Sequence, residues 1–285
     1  MRRRHHFNMA KTMFAVCCVG ALLASCAPSS HRVRSIHHTA QQTSLNQTPQ
    51  APNTNQTVPD SNPNGLANLN YVPGHSAIVQ VNGGHSTLNI NDWKHNHVAC
   101  QQLDSLNRTS GTTTAYLEKR NVANDSLRVR QTVVPTGWHQ KRDGQGKMIL
   151  NRGHIIAYSL SKGISISGSY NPLQRSGDQN NPRNLFTQTA FCNQELQTIY
   201  EQQVRQALRK GAKVIYQVQP IFQGNDLMAK GVHLQAVGSN GLNFNVYLFN
   251  VQPGFRFNYA DGTSVVDQNM RVPTPPNAPH FHDQH

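Results

Sequence analysis

Asn151-Arg152-Gly153-His154-Ile155-Ile156-Ala157-Tyr158-Ser159-Leu160 is the stretch of this chain whose reading decides the rest. Arg152 offers a planar fork that matches a phosphate group. Gly153 lacks a Cβ and lets the backbone approach a neighbour closely, read here as a substrate. His154 is a natural proton acceptor near neutral pH, with a reference pKa of about 6.5. Cutting a phosphodiester requires a base to activate water, a Lewis acid to neutralise charge, a cation on the nonbridging oxygens, and stabilisation of the departing oxygen. Arg152 and His154 supply two of these. A chain with 15 histidines also places ordinary polar histidines in loops, so these three residues alone leave both readings open.

Upstream of this stretch, Met148 to Leu150 is a short apolar run and residues 143–146 form a loop. Residues 127–134 alternate apolar and polar and predict a strand, ended by Pro135-Thr136-Gly137. Residues 76–81 and 87–90 suit two short strands with Asn82-Gly83-Gly84 as the turn. Downstream, residues 169–183 are polar, rich in Asn and without periodicity, which predicts a long loop of the kind that often carries function. Residues 193–209 are the clearest helix: Leu196, Ile199, Tyr200, Val204, Ala207 and Leu208 fall on one stripe. Arg205, Arg209 and Lys210 suit its C-terminal end, and Gly211 stops it. Residues 212–220, 231–238 and 244–251 read as three strands. Strands, one long helix and strands again predict an α+β fold with a mostly antiparallel sheet. No internal repeat is present.

Several spaced segments now fall into one order. Asn151-Arg152-Gly153-His154 is similar to the Asp-Arg-Gly-His signature of the DNA/RNA non-specific endonucleases, the ββα-metal (His-Me finger) nucleases, and most of all to their streptococcal DNase branch. Asn184-Leu185-Phe186-Thr187-Gln188-Thr189 resembles that branch's Asn-Leu-x-Thr-Gln-Thr segment. Asn193 follows nine residues after Asn184, and Glu201 eight after Asn193. Pro135-Thr136-Gly137-Trp138 and Phe249-Asn250-Val251-Gln252-Pro253-Gly254 resemble its flanking segments. The likeness runs from about Leu103 to Asp261.

The resemblance implies a ββα-metal motif with one long metal-bearing helix. It implies hydrolysis of single- and double-stranded DNA and of RNA to 5′-phosphate products. His154 is then the general base and Arg152 the phosphate ligand, and Asn184 orients the site. Asn193 is the single protein ligand of Mg²⁺, with Mn²⁺ as an alternative ion, and Glu201 holds a metal-bound water. The family's upstream transition-state arginine maps onto Arg130 or Arg128. Lys141, Arg142, Lys147, Arg175 and Arg183 surround the motif in sequence, as a phosphate-gripping surface or as scattered solubilising charge. One position departs from the pattern: Asn151 stands where the family has Asp. That change is the one feature favouring the alternative of a non-catalytic, nucleic-acid-binding lipoprotein that captures extracellular DNA. Trp138 and Tyr158 read as packing residues and His139 as a polar loop residue.

The ends of the chain are read apart from the domain. Residues 1–25 have the form of a bacterial export signal: Arg2, Arg3, Arg4 and Lys11 precede an apolar run too short to span a bilayer comfortably. Leu22-Leu23-Ala24-Ser25-Cys26 resembles a lipobox, which implies a lipid anchor at Cys26. An ordinary secretory signal with an incidental Cys26 is the alternative. Residues 26–70 are built from Ser, Gln, Asn, Thr and Pro and predict a disordered tether, and residues 273–285 a similar tail, His280, His282 and His285 included. The folded domain is then expected over residues 71–272. The formal charge is +13, or +9 without the four basic residues of the signal. That balance fits a polyanionic partner such as nucleic acid, and equally an envelope protein held to anionic polymers. Cys100 and Cys192 remain in the mature domain, as a disulfide allowed by export or as two separate thiols.

Overall fold

The computed structural model describes residues 57–58, 63–123 and 129–279. The expected export signal, Cys26, Arg128 and residues 280–285 lie outside them. In chain order the strands are β1 (Thr57–Val58), β2 (Ile78–Val81), β3 (His97–Ala99), β4 (Thr113–Leu117), β5 (Leu150–His154), β6 (Leu185–Thr189), β7 (Val214–Ile221), β8 (Gly231–Gly238), β9 (Asn243–Phe249), β10 (Phe255–Asn258) and β11 (Thr263–Val266). The α-helices are α1 (Pro63–Ala67) and α2 (Thr198–Arg209).

The three strands expected after the helix are β7, β8 and β9, an antiparallel meander at the centre of a seven-stranded sheet ordered β1-β2-β9-β8-β7-β4-β3. Only the short β1–β2 pairing is parallel. Successive strand residues point to opposite faces. One face of the meander carries Val214, Tyr216, Val218, Leu234, Ala236 and Val246, all buried. The stripe of α2 packs on it, with Tyr200 and Phe244 rings 5.0 Å apart. The opposite face carries Gln217, Gln235, His233 and Asn245, cross-linked by hydrogen bonds such as Gln235 Nε2 to Gln217 Oε1 at 2.9 Å and the His233–Asn245 contact at 2.6 Å. The mostly antiparallel α+β class is thus what the structure shows.

Beside the main sheet, β5 and β6 form a two-stranded antiparallel ribbon, with His154 opposite Leu185 and Arg152 opposite Thr187. The chain passes from β6 straight into the helix. This ribbon and helix are the ββα unit that the resemblance implied.

Three local expectations are corrected. Residues 87–90 are not a strand, and the turn at Asn82–Gly84 does not close a hairpin; β2 pairs with β9 instead. The Thr87 amide is taken up by the Gln235 side chain at 2.9 Å, which leaves no strand partner to seek. Residues 129–134, the described part of the strand expected over 127–134, form an extended strap. The Val129 amide donates to Gln179 Oε1, and the Thr132 and Val133 amides to Asn180 Oδ1, so carboxamides replace a sheet neighbour. The helix starts with a π-helical segment, Cys192–Gln197, before α2. β1, β3, β4, β10 and β11 were not anticipated.

The folded unit also reaches upstream of residue 71. Leu66 and Ala67 of α1 are buried in the main core, and Asn70 accepts a hydrogen bond from Lys230 Nζ at 3.0 Å. At the other end Ala278 is buried. Leu66→Ala should therefore cost about 2–5 kcal/mol of stability in equilibrium urea unfolding. A loss below about 0.5 kcal/mol, the size of a surface change, would place this segment outside the domain.

Candidate active site

β5 alternates, so Arg152 and His154 share one face of the ribbon while Asn151 and Gly153 share the other. On the first face, the strap crosses the two candidate side chains. Arg152 Nε donates to the Val133 carbonyl at 2.5 Å, and its guanidinium lies 4.7 Å from the Trp138 ring centroid, a cation–π contact. Trp138 is therefore the packing residue expected of it. The half-buried His154 ring sits between two glutamines. Nε2 is 3.0 Å from the Gln179 carbonyl oxygen, which can only accept, so Nε2 carries the proton in that contact. Nδ1 is then the accepting nitrogen of the neutral ring. Gln131 Nε2 stands 3.3 Å from Nδ1 and 3.0 Å from Nε2.

The second face explains Gly153 differently from the sequence reading. A Cβ built at Gly153 would stand 2.6 Å from Gln188 Cβ. The missing side chain makes room for Gln188 of β6 under the helix, not for a substrate. Asn151 pairs in register with the same Gln188, and its side chain makes no hydrogen bond to a described residue. The departure at 151 thus lies on the face turned away from the imidazole.

Gln188 begins a buried relay. Its Nε2 donates to Gln197 Oε1 at 2.9 Å and to Cys192 Sγ at 3.2 Å. Gln197 Nε2 donates to the His154 carbonyl at 2.9 Å and to Glu201 Oε1 at 2.8 Å. Neither Gln188 nor Gln197 is exposed at all. Asn193 lies four residues before Gln197, in the π segment. Its carbonyl accepts from Thr198 Oγ1 at 2.9 Å, while its half-buried carboxamide makes no hydrogen bond to a described residue. An α-helix turns about 100° per residue, so Asn193 and Glu201 on a regular helix would stand about 80° apart. A π turn absorbs one extra residue, which reduces that offset to about 20°. The widened turn brings the carboxamide and the carboxylate to one face.

Glu201 is buried and its carboxyl is pushed above the usual carboxylate range by burial, against the pull of Arg205 and the Gln197 hydrogen bond. Arg205 Nη1 is 3.6 Å from Glu201 Oε2 and donates to Ser159 Oγ at 2.9 Å. Among the described residues there is no group of three or more His, Cys, Asp or Glu that could cage a metal ion. One unengaged carboxamide beside a buried carboxylate instead fits a hard cation that keeps most of its waters.

The remaining expected residues are placed as follows. Asn184, 2% exposed, is fully engaged: Oδ1 accepts from the Ile156 amide at 2.8 Å, and Nδ2 donates to the carbonyls of Ile156 and Asp178 at 3.1 and 2.9 Å. It pins the loop after β5 to the loop carrying Gln179, a positioning role. Arg130 is exposed on the strap, near Gln131 in sequence. Arg183 donates through Nη2 to the Ile166 carbonyl, which turns it along the 165–183 loop. Lys141 donates to the Ser264 carbonyl and Arg142 to that of Gly146. Cys100 and Cys192 are separate free thiols, Cys192 fully buried and pushed up to about 12 by burial.

Gln131, Gln179, Gln188 and Gln197 were missed in the sequence, as was Asp178. Its carboxyl is buried and pushed up to about 6 by that burial, against the Asn181 hydrogen bond and the charge of Arg183.

Comparison with known proteins bears out the resemblance. Residues 172–239 match the family described as DNA/RNA non-specific endonuclease, a span that includes Asn184, Asn193 and Glu201 and begins after His154. The chain is similar to NucA from Streptococcus agalactiae with magnesium ion bound, at 28% identity and a TM-score of 0.59, over 68% of this chain and 90% of that one. It is also similar to NucA with no metal bound, at 29% identity and 0.56, over 68% and 89%.

Two outcomes follow from the relay and from Asp178. Gln197→Met keeps the side-chain volume but takes a hydrogen-bond partner each from Gln188 Nε2, the His154 carbonyl and Glu201. It should lose about 2–4 kcal/mol in urea unfolding, whereas a neutral result would mean the relay is not a constraint. Asp178 holds its proton more tightly in the fold than in the unfolded chain. Its contribution to stability is therefore full below about pH 4 and is lost as pH rises through about 6. Asp178→Asn should gain about 2–3 kcal/mol over wild type at pH 7.5, and the gain should vanish at pH 4. A wild-type-minus-variant difference that is flat between pH 4 and 7 would contradict the assignment.

Proposed function

We propose, from the premise that this chain carries a DNA/RNA non-specific endonuclease domain, that it is an exported, divalent-metal-dependent endonuclease cutting DNA and RNA with little regard for sequence. The observation that carries the reading is the relay from Gln188 through Gln197, which ties the backbone of His154 to the carboxylate of Glu201, two turns along the helix from Asn193. Mg²⁺, the ion in the similar NucA structure, would be held by the Asn193 carboxamide and through water by Glu201, and would neutralise charge on the phosphate and the leaving 3′-oxygen.

The chain's own groups do the rest. The Gln179 carbonyl holds Nε2–H of His154 and thereby presents Nδ1 as the acceptor for a proton from water. Arg152 is held by Val133 and Trp138, with its remaining donors available to a nonbridging phosphate oxygen. Attack by that water on the side opposite the 3′-oxygen leaves the phosphate on the 5′ end. Arg130 is the exposed cation of the strap and the candidate for gripping the transition state, with Arg128 beyond the described residues. Arg183 is better placed to brace its loop than to touch substrate. The basic start, the apolar run and Cys26 support export, with a lipid anchor as the way of retention.

The test is plasmid nicking and RNA hydrolysis by protein lacking residues 1–56. Activity should need Mg²⁺ or Mn²⁺ and disappear in EDTA. His154→Ala should lose about 10²–10⁴-fold in turnover while still binding DNA. Asn193→Ala should lose activity that excess Mn²⁺ partly restores. Wild-type rates from His154→Ala would remove the base from this scheme.

A further inference from the structure

A cavity of about 130 Å³ opens beside the ribbon, between it and the strap. Its walls are Leu103, Pro135, Pro182, Leu185 and Phe186, and Val133 and Val134 border it from the strap. Leu185 and Phe186 are the residues paired in register with His154 and Gly153. Three polar residues also line it, Asn107, Thr109 and Thr136. Thr109 is 7% exposed, and its hydroxyl has no hydrogen-bond partner among the described residues. Asn107 takes a left-handed backbone at φ 61°, uncommon for a residue other than Gly. Val134 is 65% exposed, an apolar side chain held out in solvent at the mouth.

The loop that forms this wall is held rigidly. The Asp104 carboxylate accepts from the amides of Leu106 and Arg108, from Arg108 Nε and from Ser110 Oγ. Arg108 in turn donates to the carbonyls of Gly224 and Asp226 at 2.8 and 2.7 Å. The opposite wall is fixed where Thr187 Oγ1 donates to the Thr136 carbonyl at 2.7 Å. The cavity is therefore built before any ligand arrives.

We propose that this cavity receives one pyrimidine base of the substrate strand, next to the scissile phosphate. The inference rests on the nuclease reading and adds a base preference to it. Gln131 touches the His154 ring, Val133 touches Arg152, and Val134 stands at the mouth. Val133 belongs to both places: its carbonyl accepts from Arg152, and the same residue lines the cavity. A phosphate on Arg152 therefore has an adjoining base within reach of the cavity. An apolar cavity of about 150 Å³ takes one benzene ring, so this one has room for one six-membered ring and not for a fused purine. The Thr109 hydroxyl both donates and accepts, as pyrimidine edges do, and would gain the partner it lacks.

The test uses deoxycytidine 3′,5′-bisphosphate and deoxyadenosine 3′,5′-bisphosphate, which carry both flanking phosphates and no internal phosphodiester to cut. Calorimetric titration in Mg²⁺ should show the cytidine compound binding about tenfold tighter. Val134→Trp, which plugs the mouth, should bring the two affinities together at unchanged Tm. Thr109→Val should weaken cytidine binding several-fold while leaving the fold as stable or more so, a change that a purely structural threonine would not give. Equal affinities in wild type, or a preference that survives both variants, would overturn the proposal. A pyrimidine preference in a protein that leaves plasmid intact would instead overturn the activity and leave this site standing.

Discussion

The side chain of Gln197 is the constraint on which the site depends. Its one carboxamide, fully buried, makes three hydrogen bonds: to the backbone of β5 at His154, to the side chain of β6 at Gln188, and to Glu201 one turn along its own helix. A buried amide left half-satisfied costs more than a bond made in solvent gains. The ribbon and the helix therefore hold one relative position or lose the relay together. Gly153 is part of the same constraint, because any side chain there would displace Gln188. What looks in the sequence like a short catalytic signature is on one face a surface for chemistry and on the other a packing joint.

Much of the frame was legible. The stripe from Leu196 to Leu208 and the alternation over residues 214–249 are periodic signals that each element carries within itself. The same holds for the order of Arg152, His154, Asn184, Asn193 and Glu201, whose spacing matches a known pattern. What was not legible depends on partners distant in sequence. The strap at 129–134 has a strand's alternation but finds Gln179 and Asn180 in place of a neighbouring strand. β3 is three residues long and exists because β4 lies beside it. The π turn leaves no periodic trace, yet it decides whether Asn193 and Glu201 face the same way. The glutamines around His154 look like any others in an Asn- and Gln-rich chain until the fold gathers them.

The same distinction bears on the one departure from the family pattern. If residue 151 faced the imidazole, replacing a carboxylate by a carboxamide would change the charge felt by the base, and a degenerate site would be a natural reading. Strand alternation turns it the other way, toward Gln188 and the helix. There the paired residue is Gln188 and, through it, Gln197 and Glu201, whose own burial already disfavours its negative form. A second carboxylate in that layer would add like charge near Glu201, and Asn151 adds none. The imidazole, its Gln179 support and the Asn193 carboxamide all stand apart from this position. The substitution therefore touches the joint between ribbon and helix, on the face turned away from Arg152 and His154.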